Sequence, residues 1–133
     1  MFWQDIFISS VLPKVKVVSV FSKVFKIDEK KIRFIKNIDE IAVNNGAQII
    51  CQTYKNATEF PLRLSIYIID EKIIPHDDIA VIGQMSKEFE KDILISDTSN
   101  NPYLMLKICF DGSIKKLSVD IDAYDNAEEF ELL

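Results

Sequence analysis

The stretch Leu62–Ile69, LRLSIYII, most constrains the fold of this chain. Leu62, Leu64, Ile66 and Ile68 alternate onto one side, and Arg63, Ser65, Tyr67 and Ile69 take the other. A period of two belongs to a β-strand, and a purely apolar side must be covered by a second layer. The chain therefore needs a sheet with something packed on it. Two segments have the spacing to do the packing. Val17, Val20, Phe21, Val24 and Phe25 recur at helical intervals within a helix expected over Leu12–Lys26. Ser9 or Ser10 is placed to cap that helix, and Pro13 suits its first turn. Ile79, Ile82, Met85 and Phe89 repeat in the same way after Pro75. There, Asp77 and Asp78 stand at the positive end of the helix dipole, and Lys87 and Lys91 at the negative end.

Further strands are expected at Lys31–Lys36, Ala47–Tyr54 and Ile93–Ser96. Tyr103–Phe110 and Ser113–Ile121 flank Asp111-Gly112, a dipeptide suited to a tight hairpin turn. Asn44-Asn45-Gly46 and Asp97–Pro102 read as loops, and a turn of helix or irregular loop starts at Asn37 or Asp39. Residues 122–133 carry five acids and no base, and read as a solvated acidic tail whose Phe130, Leu132 and Leu133 could dock a helical last turn. The resulting order α-β-(loop)-β-β-α-β-β-β predicts an α+β fold: two layers, an antiparallel-rich sheet with about two main helices packed on one face. At 133 residues the chain makes a single globular domain, 1–133. Its opening lacks a basic region before the apolar run and has Asp5 inside it, unlike a secretory signal. No window is long and apolar enough to span a bilayer, so the expected compartment is the cytoplasm.

Catalytic parts are scarce. The chain has one His, two Cys and three Gly, which excludes phosphate-cradling glycine loops and nucleophile-elbow motifs. Cys51 and Cys109 lie in apolar runs and read as reduced core thiols, though one disulfide between them would be possible arithmetic. His76 beside Asp77 and Asp78 is the one catalytic-looking fragment, but neighbours at a helix start point in different directions, so capping explains the acids. Asp120 and Asp122 are expected to share a strand face and form the best carboxylate pair on offer. The expectation is no catalytic site, no metal and no cofactor. Two alternatives stay open: a small enzyme or ligand-binding domain with a pocket near His76, and a structural adaptor using a sheet edge or the tail.

Charge is more informative. The net charge of −5 divides into +4 over residues 1–66 and −9 over residues 67–133. Eight cations crowd into Lys14–Lys36 around Phe21, Phe25 and Phe34, which suits the solvated side of an amphipathic helix better than a nucleic-acid strip. The acidic half raises encounter rates with a cationic partner and disfavours nucleic acid. Candidate partner-binding residues are Asp70, Glu71, Asp77, Asp78, Glu88, Glu90, Asp120, Asp122 and Asp125, with Tyr67, Tyr103 and Tyr124 as aromatic anchors.

The segment KIRFIKNIDEI (Lys31–Ile41) and the strand entry FPLRLSIY (Phe60–Tyr67), in a small acidic chain opening on an amphipathic helix, resemble bacterial immunity proteins. The likeness is to those of contact-dependent growth inhibition and related polymorphic toxin systems. It implies a monomer or weak dimer that binds one cognate toxin C-terminal domain, often a nuclease with a basic surface, and blocks its active site. It transfers no individual functional residue.

Overall fold

A computed structural model describes residues 2–43, 46–97, 103–126 and 128–132. Asn44, Asn45, most of the 97–102 loop and Leu133 lie outside the described residues. The fold is α+β: β1 (Phe2–Ile8), α1 (Lys14–Phe25), β2 (Ile32–Ile35), β3 (Ile49–Lys55), β4 (Leu62–Ile68), α2 (Asp78–Phe89), β5 (Ile93–Ser96), β6 (Leu104–Ile108), β7 (Ile114–Ser118), α3 (Ile121–Asp125) and β8 (Glu128–Glu129). The strands form one sheet in the order β2-β3-β4-β1-β5-β6-β7, with β8 also on β3. Neighbours are antiparallel except β2 and β3.

Parity sorts the strands as the alternation of β4 requires. Leu62, Leu64, Ile66 and Ile68 join Ile6, Ile8, Ile49, Cys51, Ile93 and Ile95 in the main core, against Val17, Val20 and Phe21 of α1 and Ile82, Met85 and Phe89 of α2. Both helices end alike. Ser22-Lys23-Val24-Phe25-Lys26 and Ser86-Lys87-Glu88-Phe89-Glu90 each close on a left-handed residue, Lys26 and Glu90, both at φ 57°. Each serine hydroxyl donates to a carbonyl five residues on, Ser22 to Ile27 at 2.5 Å and Ser86 to Lys91 at 2.6 Å. The amides of Ile27 and Lys91 return to the serine carbonyls. These bonds offset the cost of turning the chain without glycine.

The structure corrects four sequence expectations. The opening residues form β1, a central strand between β4 and β5. They lack clean alternation because Ile6, Phe7 and Ile8 are all buried, covered from both sides. Neither Ser9 nor Ser10 caps α1, whose N-cap is Pro13 without a side-chain bond. Ser9 instead ties β1 to β5: its amide donates to the Asp92 carbonyl at 3.0 Å, and its hydroxyl accepts from the Asp92 amide at 3.1 Å. The strand after the Asp-Gly turn stops at Ser118, so Asp120 and Asp122 share no strand face; Asp120 caps α3 by accepting from the Asp122 amide at 3.2 Å. The acidic tail is neither wholly solvated nor closed by a helical last turn: its first residues form α3 and Glu128–Glu129 pair with β3, while Phe130 and Leu132 do dock on the core.

Candidate functional site

Among the described residues, the second face of the sheet is covered at two places. α3 sits there through Tyr124, whose ring meets Phe7 edge-on at 5.2 Å within a cluster holding Phe60, Leu94 and Met105. The turn Ile38–Val43 covers Ile35, Ala47 and Ile50. Between them lies a groove of about 450 Å³, floored by residues of three adjacent strands: alternate residues Gln52 and Tyr54 of β3 and Arg63, Ser65 and Tyr67 of β4, with Phe2 and Asp5 of β1 on either side of a break in register. Lys36, Asn37, Ile38 and Glu129 form its rim.

Register makes this floor continuous. Gln52 lies opposite Ser65, and Ser65 opposite Asp5, giving a polar row across the strands; Tyr54 lies opposite Arg63 beside it. The Ser65 hydroxyl donates to one Asp5 oxygen at 2.6 Å. Arg63 Nη2 stands 3.6 Å from the other, while the guanidinium stacks over the Tyr54 ring, 4.6 Å from its centroid. Arg63 Nε is buried without an acceptor. Gln52 is fixed at one edge, donating to the Lys36 carbonyl at 2.9 Å, and Phe2 meets Tyr67 edge-on at 5.6 Å. Burial pushes the Tyr54 and Tyr67 hydroxyls up from their ordinary range, with Arg63 opposing. Both phenols are therefore neutral at physiological pH, able to donate as well as accept. The groove thus offers aromatic faces, a partly satisfied guanidinium and a pre-oriented carboxylate.

Among the residues expected from sequence, Tyr67 lines this groove. The acids are dispersed instead. Asp77 caps α2 by accepting from the Ala80 amide at 3.1 Å, and Asp78 accepts from Trp3 Nε1 at 3.0 Å. Glu88 pairs with Lys23 at 2.9 Å across the α1–α2 seam, and Glu90 closes α2. Asp70 accepts from Gln48 at 2.7 Å and from the Lys72 amide, which holds its carboxyl below the usual range; Glu71 follows in an exposed turn. Asp120, Asp122 and Asp125 ride on α3, on the opposite side of the sheet from α2. Tyr103 is exposed. Tyr124, expected as an anchor for a partner, is instead a core residue at 9% exposure, because its ring is what docks α3.

His76 is exposed just before α2, while Asp120 and Asp122 sit on the other layer, so the fold does not assemble a site from them. Cys51 is fully buried and burial raises its thiol far above the ordinary value, opposing thiolate formation. Cys109 follows β6, four strands across the sheet from β3. That is on the order of 19 Å, beyond disulfide reach; both thiols are free. No group of three or more His, Cys, Asp or Glu that could hold a metal occurs among the described residues. No helix among them is long and apolar enough to cross a membrane. Comparison with protein-family models, with curated proteins and with solved structures finds no match.

Arg63 and Ser65 are legible in the sequence as the second side of β4, whereas Asp5, Gln52 and Tyr54 are not. The usable sign was polar or aromatic residues at alternate positions of two apolar strands, as in IICQTYK and LRLSIYI.

Proposed function

We propose that this chain is an immunity-type protein that binds a bacterial toxin domain and blocks its active site, with the groove on the sheet as its contact surface. The observation that carries this reading is the composition of the uncovered face. Phe2, Tyr54, Arg63 and Tyr67 converge on one concave site, and Tyr and Arg are among the residues that dominate binding energy at protein interfaces. Asp5–Ser65, Arg63–Tyr54 and Phe2–Tyr67 already hold these side chains in place, so little rotamer freedom is lost on binding. The dispersed acids act at longer range. A chain of net charge −5 is drawn towards a cationic nuclease surface, and the groove supplies the short-range fit.

The test is titration of the purified chain against the toxin domain encoded by the adjacent upstream gene, by calorimetry at low and at high salt, with toxin activity as a second readout. A one-to-one complex that forms more slowly at high salt, inhibits the toxin and is weakened by Tyr67→Ala is expected. Absence of binding at low salt overturns the reading. A tight complex indifferent to Arg63→Ala and Tyr67→Ala removes the groove from it.

A further inference from the structure

The outer edge of β3 is shared by two unlike neighbours. β2 pairs in parallel with Ile49–Gln52, and the two-residue β8 pairs antiparallel with Tyr54 and Lys55. We infer that the Thr53–Lys55 edge is a docking site for an extended acidic–apolar strand, held closed in this structure by the chain's own C-terminal segment. This inference does not depend on the toxin-binding reading, since it rests on the tail and its seat.

The seat has the parts of a strand-addition site: backbone groups for pairing, and recesses for alternate side chains. The Phe130 amide donates to the Thr53 carbonyl at 3.2 Å, and the Thr53 hydroxyl donates back to the Phe130 carbonyl. Phe130 and Leu132 alternate towards the core while Glu131 turns outward to Lys36 Nζ at 2.9 Å. Lys14, stacked on Phe34 at 5.4 Å, adds a second cation beside the same recess. Apolar residues at alternate positions, with a carboxylate between them, are therefore what the seat accepts.

The present occupant fits loosely. A space of about 90 Å³ remains among Lys14, Phe34, Thr53 and the strap, and another of about 260 Å³ lies between it and Val11–Pro13. Phe130 and Leu132 are only half-buried. The Lys36–Glu131 pair is exposed at both ends, 67% and 65%, a setting in which ion pairs contribute little. Few buried apolar contacts and a two-residue ladder mark a segment at the low end of local stability. An unprotected edge would otherwise invite pairing with foreign strands, and the strap prevents that until a matching one displaces it.

Two measurements test the inference. Hydrogen exchange on the full chain is expected to show the Phe130 amide exchanging at least a hundredfold faster than those of Ile50 and Cys51 in the same strand system. A labelled peptide Glu-Glu-Phe-Glu-Leu-Leu is expected to bind the full chain carrying Phe130→Ser and Leu132→Ser at least tenfold more tightly than the unchanged chain. A version with lysines for the glutamates is expected to bind the double variant more weakly than the acidic peptide does, and equal binding overturns the acidic preference. A Phe130 amide as slow as Ile50, or no peptide binding to the folded double variant, overturns the proposal.

Discussion

Strand β4 presents two different surfaces one residue apart. Leu64 and Ile66 are wholly buried against α1 and α2, whereas Arg63, Ser65 and Tyr67 floor a groove that no helix fills. The first side holds the fold together through apolar area removed from water, of a kind any well-packed aliphatic residue could supply. The second side is specified by functional groups: a guanidinium on an aromatic ring, and a hydroxyl on a carboxylate. On the proposed reading, parity along this strand separates stability from recognition, and altering one side is expected to have little effect on the other.

The largest effect expected from breaking this separation is on the helix side. Ile66→Ala removes a side chain with no exposure from the centre of the main core. Transfer and cavity terms together should cost about 3 kcal/mol. Urea unfolding should show a lower midpoint with an unchanged slope, while partner affinity per folded molecule stays constant. Next comes Arg63→Ala on the groove side. The guanidinium pairs loosely, at 3.6 Å from Asp5, so stability should fall by less than about 1 kcal/mol. Partner affinity should fall by about 2 kcal/mol, close to thirtyfold, as for a central interface arginine. If Arg63→Ala unfolded the chain as readily as Ile66→Ala, the groove would be structural and the contrast between the faces would fail.

The contrast also explains what could be read from sequence. Elements with one dry side announced themselves: β4 by its period of two, α1 and α2 by their periods near 3.6. β1 did not, because Ile6, Phe7 and Ile8 are buried from both directions and leave no alternation to detect. β8 is too short to carry a pattern, and its place is set by Thr53 and Phe130, 77 residues apart. The groove was hidden for a similar reason. Asp5, Gln52 and Ser65 meet only through strand register, which depends on pairing between distant segments. The acids at 77–90 on α2 and at 120–125 around α3 divide between the two sides of the sheet, so linear charge runs overstate a single acidic surface.

A smaller effect is expected at Ser65, which is 3% exposed and holds Asp5 from below. Ser65→Ala should cost about 1.5 kcal/mol, the low end for a hydrogen bond to a charged acceptor, because Asp5 stays partly exposed. It also frees Asp5 to approach Arg63. The groove therefore changes shape before the core does, and binding should weaken more than chemical denaturation reveals. Equal losses in both measurements would place Ser65 with the core residues.

The smallest effect concerns the rim. Glu40 accepts from the Lys36 and Asn37 amides, both at 2.8 Å, and these bonds hold its carboxyl below the ordinary 4.5. Lys36 and Asn37 line the groove, so Glu40 fixes the rim from behind. A carboxyl whose value is lowered in the folded state favours folding when ionised. Its contribution is complete above the ordinary value and fades as pH falls through the folded one. Between neutrality and pH 4.5 the rim should stay ordered, and below that the Asn37 amide resonance should shift as the bonds are released. Glu40→Gln should abolish this acid transition at Asn37 while leaving β4 amides unchanged. A matching shift at Leu64 or Ile66 would show that the rim and the helix-covered core open together, so that the two sides of the sheet are one cooperative unit at low pH.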